Sequence, residues 1–99
     1  MAPRVVSITE SAIRDLEELR DWYTGQAAPE VGERIVREVL ASAEQLAVFP
    51  DSGRVVPEFD VPWLREPTRP PFRVVYRVHA ERVRIVRVWR SERLMEKLP

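Results

Sequence analysis

Nine arginines and only three acids lie between Arg65 and Arg93 of this 99-residue chain, a local excess of six positive charges. Guanidinium is a planar fork whose N–H groups meet a carboxylate or a phosphate two at a time. Basic charge is therefore concentrated in one segment, where a local patch can form. With no cysteine and a single histidine, His79, the chain cannot build thiolate zinc sites, cysteine nucleophiles or multi-histidine metal centres. No metal and no cofactor are expected. Sixteen basic residues balance sixteen acidic ones, and the pI is near 6.6. That balance disfavours nucleic-acid binding by overall charge. The ratio of fifteen Arg to one Lys has an ordinary source in GC-rich codon usage. Codon usage does not account for the clustering: residues 1–50 carry a net charge of −4 and residues 51–99 a net charge of +4.

Those side chains need a scaffold, and 99 residues support one domain. Arg4–Ile8 reads as a short strand. Thr9 is a good N-cap, with Glu10 in the first turn where it suits the helix dipole. Ala12, Leu16, Leu19 and Tyr23 recur at helical spacing, with Ile13 adjoining, so a helix is expected from about Glu10 to Thr24 with Gly25 terminating it. Pro29 suits the first turn of a second helix, in which Val31, Ile35, Val39, Ser42 and Leu46 form the apolar stripe. Glu33 and Arg37 stand in the favourable order for an i,i+4 ion pair. The short connection makes the two helices an antiparallel hairpin. Six prolines between Pro50 and Pro71 mark a loop-rich passage with one short strand near Leu64–Glu66. Residues 72–79 alternate as a strand, His79-Ala80-Glu81 turns, and Arg82–Trp89 is the partner strand. Ser91 can cap a final helix over Glu92–Leu98. The expected fold is α+β: an N-terminal strand, a two-helix hairpin packed on a small, mainly antiparallel sheet, and a short C-terminal helix, all in one domain over 1–99. No apolar run approaches the roughly 20 residues of a membrane span, and Met1–Glu10 lacks a signal-peptide core, so a cytoplasmic protein is expected.

Several pieces of this sequence fall in a familiar order. They are Ala12 with Asp15-Leu16, then Leu46, Phe49-Pro50, Gly53-Arg54 and Pro57-Glu58. Leu64-Arg65-Glu66 and Phe72-Arg73-Val74-Val75-Tyr76-Arg77-Val78 follow, then Ile85, Arg87-Val88-Trp89 and Arg93-Leu94. Together they resemble the RelE/ParE toxins of bacterial type II toxin–antitoxin systems over nearly the whole chain. The resemblance implies growth inhibition, a plasmid-stabilisation type of role, and a cognate antitoxin that wraps over the toxin in a hetero-oligomer. One branch of the family blocks DNA gyrase without known catalysis; the other cleaves mRNA on the ribosome. Metal-free cleavage needs a base for the ribose 2′-hydroxyl, cations for the phosphate and an acid for the leaving oxygen. By resemblance, Glu58 stands at the acid–base position and Arg65 and Arg73 at phosphate-facing positions. Where the cleaving branch often has His or Tyr after the last strand, this chain has Arg90, which can clamp a phosphate but is a poor general acid. Arg90 and the near-neutral pI both point to the gyrase-directed branch, with ribosome-dependent mRNA cleavage, or a non-toxic relative that only binds its antitoxin, as the alternatives. Arg87, Arg90, Arg93 and Trp63 are the expected target-binding residues. The groove between the hairpin and the sheet is the expected antitoxin contact.

Each assignment has a structural alternative. Arg73, Arg77 and Arg87 can form cross-strand ion pairs with Glu58, Glu66 or Glu81. Arg65 can be a strand-edge charge. Tyr76 shares its alternating face with Phe72, Val74 and Val78 and reads as core. Trp22, Tyr23 and Trp89 read as packing residues. Trp63, in the proline-rich passage, either anchors a partner or covers the hairpin edge. His79 belongs to the turn, away from the catalytic end.

Overall fold

Thr9 is where the first strand becomes the first helix. In the computed structural model, which describes residues 4–69 and 72–90, β1 (Val5–Ile8) runs into α1 (Glu10–Gly25) through this residue. Thr9 Oγ1 accepts the amide of Ala12 at 3.1 Å, the expected cap, and donates to the carbonyl of Val86 at 3.1 Å. One hydroxyl thus starts the helix and ties its N-terminus to a strand 77 residues away.

Helix α1 buries Ala12, Asp15, Leu16 and Leu19. Its end differs from expectation. Gly25 is the last helical residue and has no positive φ; the left-handed residue is Ala27, at φ 58°. The chain turns there because the amides of Gln26, Ala27 and Ala28 are all satisfied by the last-turn carbonyls. Helix α2 (Pro29–Val48) begins with Pro29 as expected and buries Gly32, Ile35, Val39, Ser42 and Leu46. Gly32 joins this stripe beside the expected Val31, which is half-buried and packs against the main core. A Cβ on Gly32 would lie 3.2 Å from the Arg20 Cα, so its absence lets the two helices close together. Glu33 pairs across the hairpin with Arg20 at 3.5 Å rather than along the helix with Arg37.

The sheet has six strands: β1, β2 (Arg54–Val55), β3 (Leu64–Glu66), β4 (Thr68–Arg69), β5 (Phe72–His79) and β6 (Arg82–Arg90). The order is β1-β6-β5-β3-β2, with β4 pairing β5. All pairs are antiparallel except β1 with β6. The two-residue strands β2 and β4 were not expected from the sequence, because two residues carry no period. The expected helix over Glu92–Leu98 lies outside the described residues.

Alternation along β5 gives the sheet two buried faces. Phe72, Val74 and Tyr76 join Leu16, Ile35, Val39 and Leu46 in the main core under the hairpin. Val75 points the other way, into a second cluster with Val56, Leu64, Val86 and Trp89. Opposite Val75 and Tyr76 the ladder slips: Val75 faces Arg87 but Tyr76 faces Ile85, so Val86 is the extra residue of a β-bulge. Tyr76 is fully buried as expected, and its hydroxyl does more than pack. It donates to the Pro50 carbonyl at 2.8 Å and accepts the Gly53 amide at 3.0 Å, which fastens the loop after α2 to the sheet. A side chain at Gly53 would come within 2.6 Å of that hydroxyl. Trp22 departs from its packing role: it is 42% exposed and stands edge-on to Tyr23.

Candidate functional site

Directly opposed residues of an antiparallel pair point to the same side, and neighbours in a strand to opposite sides. Arg65 is registered with Tyr76, on the side of the main core. Arg73, two positions from Val75, is on the outer side with Leu64 and Glu66. The two arginines expected to share a phosphate therefore emerge on opposite faces of the sheet.

Each is occupied where it stands. Arg65 donates to the carbonyls of Pro62 at 2.9 Å and Gly53 at 3.0 Å and lies 3.7 Å from Asp51, bracing the proline-rich loop. On the outer face, Glu66 is only 1% exposed. A carboxylate that deep needs cations, and it has two. Arg54 donates to Oε1 through Nε and Nη2 at 3.1 and 2.8 Å. Arg73 donates from Nε to Oε2 at 2.7 Å and from Nη2 to Oε1 at 2.9 Å. The remaining side of Arg73 grips Glu58 with bonds of 2.5 and 2.9 Å. The bonds to Glu58 first and Glu66 second hold the Arg73 guanidinium more firmly protonated than an ordinary arginine, against the effect of its burial. Among the described residues, two arginines and two glutamates thus form a charge-balanced cluster. Two of the ion pairs expected for Arg73, with Glu58 and Glu66, are present.

Arg87 takes a different partner from those expected. It grips Asp15 of α1 through Nε at 2.7 Å and Nη2 at 3.0 Å, and Asp15 also accepts the amide of Val88 at 2.9 Å. β1 pairs β6 only as far as Ile85, and beyond it the buried aspartate of α1 takes the Val88 amide. The Arg87 Cζ also sits 4.4 Å over the ring of Trp89. Arg87, expected at a target-binding surface, is thereby a pin between helix and sheet with a side chain 21% exposed. Asp15 lies on the buried stripe of α1, between Ala12 and Leu19 at helical spacing, and a charge at such a position was the one available signal for this pin.

Trp63 is 49% exposed beside β5, where its carbonyl accepts the Val78 amide at 2.9 Å and Arg77 lies 5.5 Å over its ring. His79 ends β5 opposite Arg82. Arg90 ends β6 opposite Phe72; its side chain, and all of Arg93, lie outside the described residues. The space between hairpin and sheet, expected as the antitoxin groove, is filled by the main core. Exposed apolar side chains lie instead on the hairpin's own surface, at Ile13, Leu40, Val48 and its C-cap Phe49. Among the described residues no group of three or more His, Asp or Glu side chains could hold a metal ion, and no helix is long and apolar enough to cross a membrane.

Comparison with known proteins agrees with this architecture. The family model described as the ParE toxin of the type II toxin–antitoxin system parDE matches residues 6–95. A chain of the chromosomal ParDE toxin–antitoxin system from P. aeruginosa superposes with a TM-score of 0.74 at 26% identity, covering 90% of this chain and 97% of that one. A chain of a RelBE toxin–antitoxin complex from Mycobacterium tuberculosis gives a TM-score of 0.61 at 23% identity, covering 89% and 98%, and shares the fold. Against curated protein sequences no significant match is found.

Proposed function

The chain belongs to the ParE toxin family of type II toxin–antitoxin systems, and from that premise we propose that it arrests growth by occluding a protein target, DNA gyrase, and not by cutting RNA. The observation that carries this reading is the clamp on Arg73. A general base must be basic, and a guanidinium that bonds both oxygens of a carboxylate stabilises its ionised form and weakens it as a proton acceptor. Both Glu58 oxygens accept hydrogen bonds from Arg73, whose other edge is committed to Glu66. A phosphate cradle would need Arg65 and Arg73 on one side of the sheet, and they are on opposite sides. The same residues make sense as the framework that holds the proline-rich loop against the sheet. Neutralisation by a cognate antitoxin is part of the proposal, in line with the relatives from toxin–antitoxin systems. An amphipathic antitoxin segment would cover the exposed apolar side chains of the hairpin.

A supercoiling assay with purified gyrase and the folded full chain tests it. Inhibition is expected, relieved by the antitoxin, and retained in Glu58→Gln. A folded sample that leaves gyrase untouched but cuts ribosome-bound mRNA, with Glu58→Gln abolishing the cut, overturns the reading.

A further inference from the structure

One cross-strand row on the outer sheet face carries charge that no described residue balances. Ser7, Arg84, Arg77 and Leu64 stand side by side on β1, β6, β5 and β3. Arg84 and Arg77 are directly opposed, an arrangement that repels. Among the described residues no carboxylate lies within ion-pair distance of Arg77, Arg82 or Arg84. The cluster of Arg54, Glu58, Glu66 and Arg73 at the other end of this face balances its own charges, so among the described residues the excess of positive charge lies here.

The row floors a concavity of about 660 Å³ lined by Ser7, Trp63, Arg77, His79, Arg82 and Arg84. A second concavity of about 430 Å³ shares Arg77 and Arg84 and continues toward Thr9 and Arg14. Trp63 forms an apolar wall, held in place by the Val78 amide.

We propose that this groove docks an extended acidic segment of a partner protein, with Arg77 and Arg84 gripping carboxylates and Trp63, at the β3 end of the row, seating an apolar residue beside them. Four strands at about 4.8 Å spacing give a track of roughly 14 Å, the length of four or five extended residues. A chain of zero net charge gains little from the counterion release that drives nucleic-acid binding, and the groove offers one aromatic wall, not a series of stacking platforms. The proposal does not depend on gyrase being the target.

The test is calorimetric titration of the full chain with a peptide of about ten residues alternating Glu and Leu, and separately with an oligothymidylate of equal charge. The peptide is expected to bind. Arg77→Ser and Arg84→Ser should each weaken it at least about tenfold, as loss of a close charge pair does. Arg54→Ser should leave it unchanged. The free Arg84→Ser variant should melt no lower than the parent, since a repulsion has been removed, which separates lost binding from lost folding. Equal peptide affinity in the parent and in well-folded variants overturns the proposal. So does tighter, Arg84-dependent binding of the oligothymidylate, which assigns the groove to nucleic acid. A low-salt dimer of the free chain that Arg84→Ser dissociates overturns it as well, by assigning the groove to a second copy.

Discussion

Removing Arg73 should unfold much of what holds the proline-rich loop in place. The change to make is Arg73→Met, which keeps an unbranched apolar stem and deletes the charge. In the parent, the Glu66 side chain is 2% exposed and that of Arg73 is 12% exposed, so their pair is made almost out of water. Breaking a buried pair on one side costs about 3–5 kcal/mol, because the other charge is left behind. Arg54 still donates two bonds to Glu66, but its own side chain is 56% exposed and well hydrated, so it compensates only in part. The expectation is therefore the lower end, about 3 kcal/mol. That is a large share of the roughly 5–15 kcal/mol that stabilises a domain, and it corresponds to a melting temperature lower by roughly 12–24 °C. Urea unfolding followed by far-UV circular dichroism measures it. Glu66→Gln on the Arg73→Met background removes the stranded charge and should recover at least half of the loss. A cost below about 1 kcal/mol, or no recovery in the double variant, would refute the idea that Arg73 is spent on structure. It would also return Arg73 to the pool of residues free to meet a phosphate.

Three further outcomes are expected. Burial raises the Tyr76 phenol above its ordinary value of 10.0, so its contribution is complete below that pH and is lost as pH rises through the elevated folded value. Stability should fall at alkaline pH in step with phenolate absorbance, and Tyr76→Phe should remove that part of the pH dependence while costing about 1–3 kcal/mol at neutral pH for the Gly53 amide left unpaired. Asp15→Asn keeps the size but removes the negative charge that holds Arg87, and should cost about 2–4 kcal/mol by chemical denaturation; a neutral result would mean the pin between helix and strand is ornamental. Gly25→Ala, in a helical position with open space, and Ala27→Gly, at a positive φ, should each raise stability by up to about 1 kcal/mol in thermal melts, and a loss from either would contradict the helix end described above.

The sites of such changes divide according to how far their cause lies along the chain. Thr9 as a cap, Pro29 at the start of α2, the stripes of both helices and the alternation of β5 were legible because each is set by residues within a few positions of one another. The β5–β6 hairpin and its turn at Ala80-Glu81 were legible for the same reason. The arginine excess was countable, and with the ordered pieces around Gly53, Arg73 and Trp89 it pointed to the family. The strands β2 and β4 were not legible, being too short to carry a period and defined only by what they pair with.

Which acid each arginine meets was a matter for the tertiary structure alone. The local rule paired Glu33 with Arg37, yet Glu33 meets Arg20 on the other helix. Arg87 meets Asp15, 72 residues away, because β1 stops pairing β6 at Ile85 and α1 lies beside the rest of the strand. The register of β3 against β5 sends Arg65 and Arg73 to opposite faces, and a shift of one residue would reverse either assignment. Charged side chains are long and bind any opposite charge within reach, so their sequence spacing says little about their partners. Backbone periodicity determines which face a residue occupies within its own element; only the register between distant strands decides which charges share that face, and therefore which arginines are spent on the fold and which remain for a partner.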